Sequence, residues 1–389
     1  MDKKKILDGV KVLDFTHVVA GPVTTRSLSD LGADVIKVDK PPVEGQELVR
    51  SAGSVANNIG KRSIAIDLKS ESGIKLARKM AQSVDIIVEN FRPGAMKDLG
   101  LDYDTLSSTN RSLIYASISG FGQSGSQSHR RAYGANAHAE AGWLWVQQGA
   151  AESGAPFAPG VTVADILTAM NTVSGILAAL YHRQKTGLGQ WIDVTLAESQ
   201  FSFLAETART SLSGSPESDW RPFRHPIHAA KDGNVTINIG GGQDSPNWRR
   251  IAKAFGHDDE PMPLPVESAN ALVTTWVSEL TVGEIASRME STGAPYGIVS
   301  SIHEAVNNPY FEERGMLFDV PDSIDGAIRV IGSPIHFSDA SSSPNRTSAP
   351  LAGEHSREIL RLMEYRELDI EELIRSGAVV EQLPPSGGK

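Results

Sequence analysis

The sequence contains no cysteine among its 389 residues. Disulfide bonds, thiolate nucleophiles and cysteine-based metal sites are therefore excluded. Histidine is sparse too: the ten histidines are scattered, and none of them forms the HExxH spacing that is typical of a zinc site. We therefore expect no metal ion in the functional site.

Basic charge and long apolar runs are also scarce. Lys and Arg number 37 against 47 Asp and Glu, so the net charge is −10, which argues against a general nucleic-acid-binding face. No uninterrupted apolar run approaches the roughly 18 residues that a membrane span needs. The apolar residues after MDKKK are interrupted by Asp and Lys, unlike a secretory signal. We predict a cytoplasmic protein that binds neither nucleic acid nor membrane.

The first part of the chain alternates strand patterns with helix patterns. Strands predicted over residues 10–15 and 33–38, with a helix between them, form a βαβ unit within about 30 residues. The turn of this unit reads HVVAGP and lacks the GxGxxG dinucleotide fingerprint. Further strands are predicted over residues 62–67, 84–91 and 113–119. The pattern predicts an α/β fold with a Rossmann-like large domain, whose ligands bind at the carboxyl ends of the strands.

A polar, proline-containing stretch at residues 213–225 predicts a domain boundary. We expect residues 1–212 to form the first part of the large domain and residues 226–330 to form a smaller α/β domain. The smaller domain begins with a predicted hairpin that turns at residues 231–234. Residues 331–389 are expected to return to the large domain and to end in a tail.

One isolated acid, Asp165, stands at the start of a long apolar helix pattern over residues 166–183. Because the helix is apolar on nearly all sides, we expect it to be buried. An aspartate before a helix is commonly an N-cap, and the local pattern favours that interpretation. The alternative is a carboxylate that acts as a nucleophile.

Five blocks in the same order along the chain point to a known family. The sequence resembles the class III (CaiB/BaiF-type) CoA-transferases, and within them formyl-CoA transferase more than α-methylacyl-CoA racemase. The resemblance implies an interlocked homodimer, with a large domain built from both chain ends and a smaller domain inserted late. The blocks that carry it are LDGVKVLDFTHVVAGPVTTRSLSDLGADVIKVDKP, GKRSIAIDLKSESG, VENFRPGAMKDLGLDYDTL, VTVADILTAMNTVSGILAALYHRQKTGLGQWIDVTLAES and GIVSSIHEAVNNPYFEERGM.

The resemblance implies a chemistry for Asp165. A class III CoA-transferase moves CoA from an acyl-CoA thioester to a carboxylic acid, with a dicarboxylate as one option for the acceptor. The implied path runs through a mixed anhydride and then a CoA thioester on the Asp165 carboxylate. CoA and acyl-CoA are then substrates, and we expect no permanently bound cofactor.

The resemblance also implies a set of CoA contacts. Lys40 and Arg131 occupy basic positions suited to phosphates. Ile66 and Leu68 match the apolar lining around adenine, and Tyr133 matches the aromatic residue beside the thioester. For any single Lys or Arg, a solvated surface charge is the ordinary alternative. The full predicted set is His17, Val18, Ala20, Lys40, Ile66, Leu68, Asn90, Phe91, Arg92, Lys97, Arg131 and Tyr133.

The chain departs from better-known relatives at three positions that we assign to the substrate pocket: Val19, Gly134 and His138. Gly134 replaces an acid that many relatives carry, and His138 replaces a glutamine. The racemase branch uses a His-Asp pair near this point, and that pair is missing. An acyl-CoA racemase or isomerase that exchanges an α-proton is therefore a disfavoured alternative, which only His138 supports. A CoA-binding homologue without turnover is a second alternative.

Two loops bear on the acceptor. GGGQDSP at residues 240–246 resembles the lid loop of formyl-CoA transferase, but it follows its strand instead of preceding it. We favour a strand-to-helix turn capped by Asp244 or Ser245 over a lid at Gly240–Gly242, which makes formate and oxalate doubtful substrates. Arg221, Arg224 and His225 in the predicted linker are candidates for holding the second carboxylate of a dicarboxylic acid, with an ordinary surface loop as the alternative.

Overall fold

A computed structural model describes residues 5–42, 50–150, 155–157, 159–216, 226–240, 245–340 and 347–382. The strands are β1 (Lys11–Phe15), β2 (Asp34–Asp39), β3 (Arg62–Ile66), β4 (Ile86–Glu89), β5 (Ile114–Ser119), β6 (Trp191–Thr195), β7 (His228–Ala229), β8 (Asn234–Ile237), β9 (Tyr296–Ile298), β10 (Leu317–Asp322), β11 (Gly326–Ile331) and β12 (Val379–Val380).

The first ten helices are α1 (Ala20–Asp30), α2 (Ala52–Asn58), α3 (Glu71–Ala81), α4 (Ala95–Asp98), α5 (Tyr103–Ser107), α6 (Gly134–Glu140), α7 (Trp143–Ala150), α8 (Val163–Thr186), α9 (Leu196–Phe203) and α10 (Arg209–Leu212). The later ones are α11 (Pro246–Ala254), α12 (Val266–Val277), α13 (Val282–Glu290), α14 (Ile302–Val306), α15 (Pro309–Glu313), α16 (Ser356–Leu362) and α17 (Glu367–Arg375).

Seven strands form one sheet in the order β12-β3-β2-β1-β4-β5-β6. Every neighbouring pair is parallel except β12, which pairs antiparallel to β3. The central strands are apolar and buried on both faces, as parallel strands covered by helices must be. One buried cluster, with Leu13 and Ile64, lies on one side of the sheet, and a second, with Val12 and Ile86, lies on the other. The predicted α/β class is therefore confirmed.

Local sequence signals account for several helix boundaries in this layer. Ser70 precedes α3, and its hydroxyl accepts the backbone N–H of Gly73 at 3.0 Å, as an N-cap should. The alanine-rich stretch at residues 135–148, whose composition is typical of one helix, lies in two helices, α6 and α7. Gly142 lies between them with φ of +87°, a left-handed backbone that ends a helix without steric strain at glycine. Helix α2 was not predicted, because its residues follow a stretch rich in proline and glycine.

Helix α8 packs only one face against the rest of the chain. Its inward face carries Ala164, Thr168 and Ile176, whereas Ile166 and Tyr181 are exposed on the outward face. The sequence predicted burial on nearly all sides, but in the single chain only the inward face of α8 is buried. By length and composition alone, α8 could cross a membrane, with a mean hydropathy of 1.6. Buried core helices satisfy the same criterion, and the absence of a membrane partner stays a prediction.

The chain divides into two compact units, Met1–Trp220 with Glu312–Lys389, and Arg221–Phe311. In the second unit, β7, β8 and β9 form an antiparallel sheet, and the predicted hairpin turning at residues 231–234 is present. Its core is built around Trp248, Val273 and Ile285. Ser245 caps α11 by accepting the Trp248 backbone N–H at 3.4 Å, as predicted.

The second unit ends at Phe311, before the boundary at residue 330 that the sequence suggested. The difference arises from the hairpin of β10 and β11, which belongs to the first unit. Its Val320 and Val330 pack on Ile59, and Asp322 on the hairpin pairs with Arg50 at 2.7 Å. These contacts join residues that are distant in sequence, so local patterns give no sign of them.

Candidate active site

A cavity of about 720 Å³ opens at the carboxyl ends of β1, β4 and β5. Strand β1 lies between β2 and β4, so the strand order reverses at this point. In open α/β sheets, ligands bind in the crevice at such a reversal. The lining residues are His17, Val18, Val19, Ala20, Asn90, Phe91, Arg92, Pro93, Asp98, Ile118, Ser119, Gly120, Ser128, His129, Arg130, Arg131, Ala132, Tyr133, Asp165 and Leu196.

Asp165 reaches this cavity from the first turn of α8. The helix begins at Val163 with Thr162 as its N-cap residue, so Asp165 lies inside the helix and the N-cap interpretation is wrong. Its side chain is buried and accepts the backbone N–H of Ala20, the first residue of α1. Burial raises the pKa of Asp165, and the Ala20 hydrogen bond opposes that rise. A carboxylate here meets the positive end of the α1 dipole.

The Asp165 carboxylate lies close against the backbone at Gly134. A Cβ atom added at Gly134 would lie 2.1 Å from Asp165 Oδ2. Glycine therefore allows the acid to occupy this place without a steric clash. The departure that the sequence singled out at residue 134 thus bears directly on the orientation of Asp165.

His138 fulfils the capping function that the sequence suggested for Asp165. Its Nε2 accepts the backbone N–H of Ala164 at 3.0 Å, and the ring is 2% exposed. An accepting Nε2 requires the neutral imidazole with its proton on Nδ1, and burial lowers the pKa of His138, which favours that form. His138 therefore holds the start of α8 at Ala164, the residue directly before the acid, and does not line the cavity.

The turn between β1 and α1 forms one wall of the cavity. The Asn90 side chain grips His17 on both sides, accepting its N–H at 2.8 Å and donating to its C=O at 2.7 Å. The His17 ring packs edge-on against Phe91, and its buried Nε2 has no hydrogen-bond partner among the described residues. Val18 has φ of +70°, the left-handed region that a β-branched residue rarely occupies.

We expect Val18→Gly to preserve or raise stability. Left-handed backbone costs a non-glycine residue about 1–2 kcal/mol, and glycine removes that cost while adding about 0.4–1 kcal/mol of unfolded-state entropy. Val19 has φ of −128°, so Val19→Gly gains no relief and should destabilise the chain. Urea unfolding of the two variants and the wild type measures the difference. Equal destabilisation by both substitutions would contradict strain at Val18.

The cavity brings together ten of the sixteen predicted site residues: His17, Val18, Val19, Ala20, Asn90, Phe91, Arg92, Arg131, Tyr133 and Asp165. Lys40, Leu68, Lys97, Gly134 and His138 do not line it. Neither does Ile66, which is 1% exposed in the apolar core and presents no surface to a ligand. Residues 221, 224, 225, 241 and 242, which the sequence singled out for the acceptor or a lid, lie outside the described residues.

Two arginines, Arg92 and Arg131, lie on the cavity wall without a described acidic partner. Arg92 and Arg131 are exposed, and neither has an ion pair or side-chain hydrogen bond within the part of the chain that the structure describes. Arg130 beside them is paired with Glu140 and lies over the Phe121 ring. In a chain of net charge −10, two unpaired arginines on one cavity wall favour an anionic ligand.

Sequence reasoning missed part of the site. The loop between β5 and α6 contributes Ser128, His129 and Arg130, and its composition, SQSHRR after a strand, was a usable signal. The buried acid Glu89 at the end of β4 and the buried lysines Lys37 and Lys61 were also missed. A charged residue within an apolar strand pattern is the only local sign of such groups. Among the described ranges, no cluster of His, Asp or Glu could hold a metal ion.

Comparison with known proteins gives the family. The sequence profile described as CoA-transferase family III matches residues 7–356. The chain therefore belongs to this family of enzymes, as the sequence blocks indicated.

Named relatives span nearly the whole chain. It is 32% identical to succinyl-CoA:glutarate CoA-transferase of Mus musculus, covering 98% of this chain and 92% of the relative. It is 31% identical to formyl-CoA:oxalate CoA-transferase of Streptomyces coelicolor, with 91% and 94% covered. A crystal structure of a CaiB/BaiF family protein from Brucella suis matches with a TM-score of 0.80 at 29% identity, covering 93% of this chain and all of that one.

Proposed function

We propose that the protein transfers CoA from an acyl-CoA thioester to a carboxylic acid, with Asp165 as the nucleophile. The observation that carries the proposal is the place of the Asp165 carboxylate. It lies on the wall of a cavity that also presents Arg92 and Arg131. A large polyanionic thioester needs cations for its phosphates and a nucleophile at its reacting end, and this cavity offers both.

The proposed reaction exchanges four bonds in sequence. The Asp165 carboxylate attacks the thioester carbonyl, a C–O bond forms, the C–S bond breaks, and CoA leaves as a thiolate. The thiolate then attacks the Asp165 carbonyl of the mixed anhydride, which releases the donor acid and leaves CoA on Asp165 as a thioester. The acceptor carboxylate attacks this thioester and expels the thiolate again. Finally, the thiolate attacks the acyl carbon of the acceptor, which forms the new acyl-CoA and restores the Asp165 carboxylate.

The surroundings of Asp165 suit this role. Burial raises the pKa of Asp165, which makes its carboxylate a better nucleophile than a solvated aspartate. The Ala20 N–H orients this carboxylate. The positive end of the α1 dipole also favours the negative charge that develops on the oxygen of a carbonyl under attack.

The racemase alternative has less support. It would need a second base across the substrate α-carbon. His138, the residue that the alternative relies on, is buried, and its Nε2 is occupied by the Ala164 N–H. Gly134 supplies no side chain at all.

We further propose a dicarboxylate acceptor and a homodimeric state. Two relatives at 31–32% identity are named for succinate and glutarate transfer, in Mus musculus and in Agrobacterium fabrum. For the dimer, the exposed apolar side chains of α8 include Ile166, Met170, Leu177 and Tyr181. A second copy of the chain that covers this stripe would remove it from water.

A transfer assay with substrate panels tests the function. Succinyl-CoA, acetyl-CoA and formyl-CoA are each incubated with a panel of monocarboxylic and dicarboxylic acids, and the new thioesters are separated by chromatography. We expect transfer to at least one C4 or C5 dicarboxylate. A branched acyl-CoA, incubated with the enzyme in deuterated water without acceptor, tests the racemase alternative. Deuterium at the α-carbon of a branched acyl-CoA, with no transfer to any acid, would overturn the proposal.

The two unpaired arginines should govern thioester affinity. We expect Arg92→Gln and Arg131→Gln each to raise KM for acyl-CoA about tenfold or more, because each removes a charge-assisted contact, and to leave kcat nearly unchanged. Arg130→Gln is the matched control, since Arg130 is already paired with Glu140. Steady-state kinetics at two salt concentrations measures the effect. Equal, small changes in all three variants would show that the cavity does not hold the phosphates.

A further inference from the structure

A buried polar network lies directly under the turn between β1 and α1. Asp14 is fully buried, and its Oδ1 accepts the backbone N–H of Thr16 at 2.8 Å and the Thr16 hydroxyl at 2.5 Å. Its Oδ2 accepts the Thr25 hydroxyl at 2.6 Å and the Lys61 ammonium at 3.0 Å. Burial alone would raise the pKa of Asp14, but Lys61, Lys37 and the hydroxyl donors together lower it. The acid is therefore charged in the folded protein.

Two lysines tie this network to the backbone of the turn. Lys61 is 1% exposed, and its ammonium donates to Pro22 O at 3.0 Å and to Asn58 Oδ1 at 2.8 Å. Lys37, also buried, donates to Thr16 O at 2.7 Å. The two ammonium groups thus fix carbonyls on either side of the segment 17–20, and neither lysine lines the cavity.

Stability alone does not explain this arrangement. Replacing a buried ion pair by apolar residues of similar volume is often neutral or stabilising, so the pair is weak evidence for a purely structural role. The turn that it supports includes Val18 in a strained backbone conformation. Such strain persists only where the surroundings over-determine the conformation, which is typical of functional sites.

We propose that Lys37 and Lys61 are positioning residues for the transfer reaction. They hold the turn 17–20 so that His17 lines the cavity and the Ala20 N–H meets the Asp165 carboxylate. The inference rests on the proposed function, because it takes the cavity as the CoA site. The lysines act through the turn and touch no substrate themselves.

Two variants separate positioning from folding. In the double variant Asp14→Asn/Lys61→Met, asparagine keeps an acceptor for Thr16, and the buried Asp14–Lys61 pair is removed as a whole. The Pro22 carbonyl and Asn58 Oδ1 both lose the Lys61 donor. Lys37→Met, the second variant, removes the donor to Thr16 O and the ion pair between Lys37 and Asp39 at 3.6 Å. Lys79→Met is the control, since Lys79 lies over the Tyr365 ring at 4.0 Å and away from the cavity.

The readouts are thermal unfolding, hydrogen–deuterium exchange of the peptide over residues 16–23, and calorimetric binding of free coenzyme A. We expect Lys37→Met and the double variant to unfold near the wild-type temperature, to exchange the turn amides about tenfold faster, and to bind coenzyme A at least about tenfold more weakly. Lys79→Met should match the wild type in all three. In turnover, kcat/KM for acyl-CoA should fall while KM for the acceptor acid stays constant.

Wild-type exchange and wild-type affinity in both variants would overturn the positioning role. So would loss of affinity that only follows loss of stability, because that is the signature of a merely structural pair. If the wild type itself binds no coenzyme A, the proposed function fails, and the exchange rates of the turn still decide whether the lysines hold it.

Discussion

We expect Asp165→Asn to abolish CoA transfer, with kcat lowered by a factor on the order of 10⁴ or more. The amide has the shape of the carboxylate, but it cannot attack a thioester and therefore cannot form the mixed anhydride. Folding should be unaffected or slightly improved, because burial already raises the pKa of Asp165 and so disfavours its charged form. Purified protein, a transfer assay and thermal unfolding are sufficient to measure both effects.

Asp98→Asn is the matched control for this variant. Asp98 is a second acid on the cavity wall, exposed where Asp165 is buried. We expect its neutralisation to change kcat less than about threefold, in the range of surface substitutions. If Asp165→Asn retains wild-type turnover after spontaneous deamidation is ruled out by mass spectrometry, Asp165 is not the nucleophile.

Glu89→Gln should raise the free energy of unfolding by roughly 3 kcal/mol at pH 8 and by much less near pH 5. Burial raises the pKa of Glu89 to about 7 from an ordinary 4.5, despite hydrogen bonds from Ser117 and from the Phe91 N–H. The folded state therefore holds a proton between pH 4.5 and 7 that the unfolded chain releases. The contribution of Glu89 to wild-type stability therefore falls as the pH rises through this window and levels off above it.

Glutamine can accept from the Phe91 N–H and donate to Ser117, so it mimics the protonated acid. Urea unfolding of wild type and variant between pH 5 and 8 measures the difference at each pH. Glu198→Gln is the control, because Glu198 lies exposed at the start of α9 whereas Glu89 is buried. A difference between Glu89→Gln and wild type that is constant across the range would contradict a neutral, buried Glu89.

Much of the large unit followed from sequence because its strands and helices are locally specified. The βαβ pattern of the first residues, the Ser70 cap and the apolar strands each lie in one short window. The hairpin of β10 and β11 did not, because its place depends on contacts with Ile59 and Arg50 far along the chain. The outward face of α8 is exposed in the single chain, and this exposure could not be predicted, because hydropathy does not say what covers a helix.

The candidate site shows the same division. His17, Asn90 and Arg92 directly follow strands, and parallel strands bring their ends together, so their convergence was predictable. The capping function of His138 for α8 was not predictable, because the hydrogen bond to Ala164 joins residues 26 positions apart. The hydrogen bonds from Lys61, just before β3, to Asp14 and to Pro22 in α1 were not predictable either, because they join residues far apart in sequence.

Chemical trapping on Asp165 tests the central proposal most directly. The enzyme is mixed with an acyl-CoA donor and quenched with hydroxylamine, or reduced with borohydride, and its peptides are analysed by mass spectrometry. We predict a hydroxamate, or the corresponding alcohol, on Asp165 alone, formed only when the acyl-CoA is present and missing from Asp165→Asn. Full transfer activity with unmodified Asp165 under these conditions, and with the adduct elsewhere or not formed, would contradict covalent catalysis by this residue.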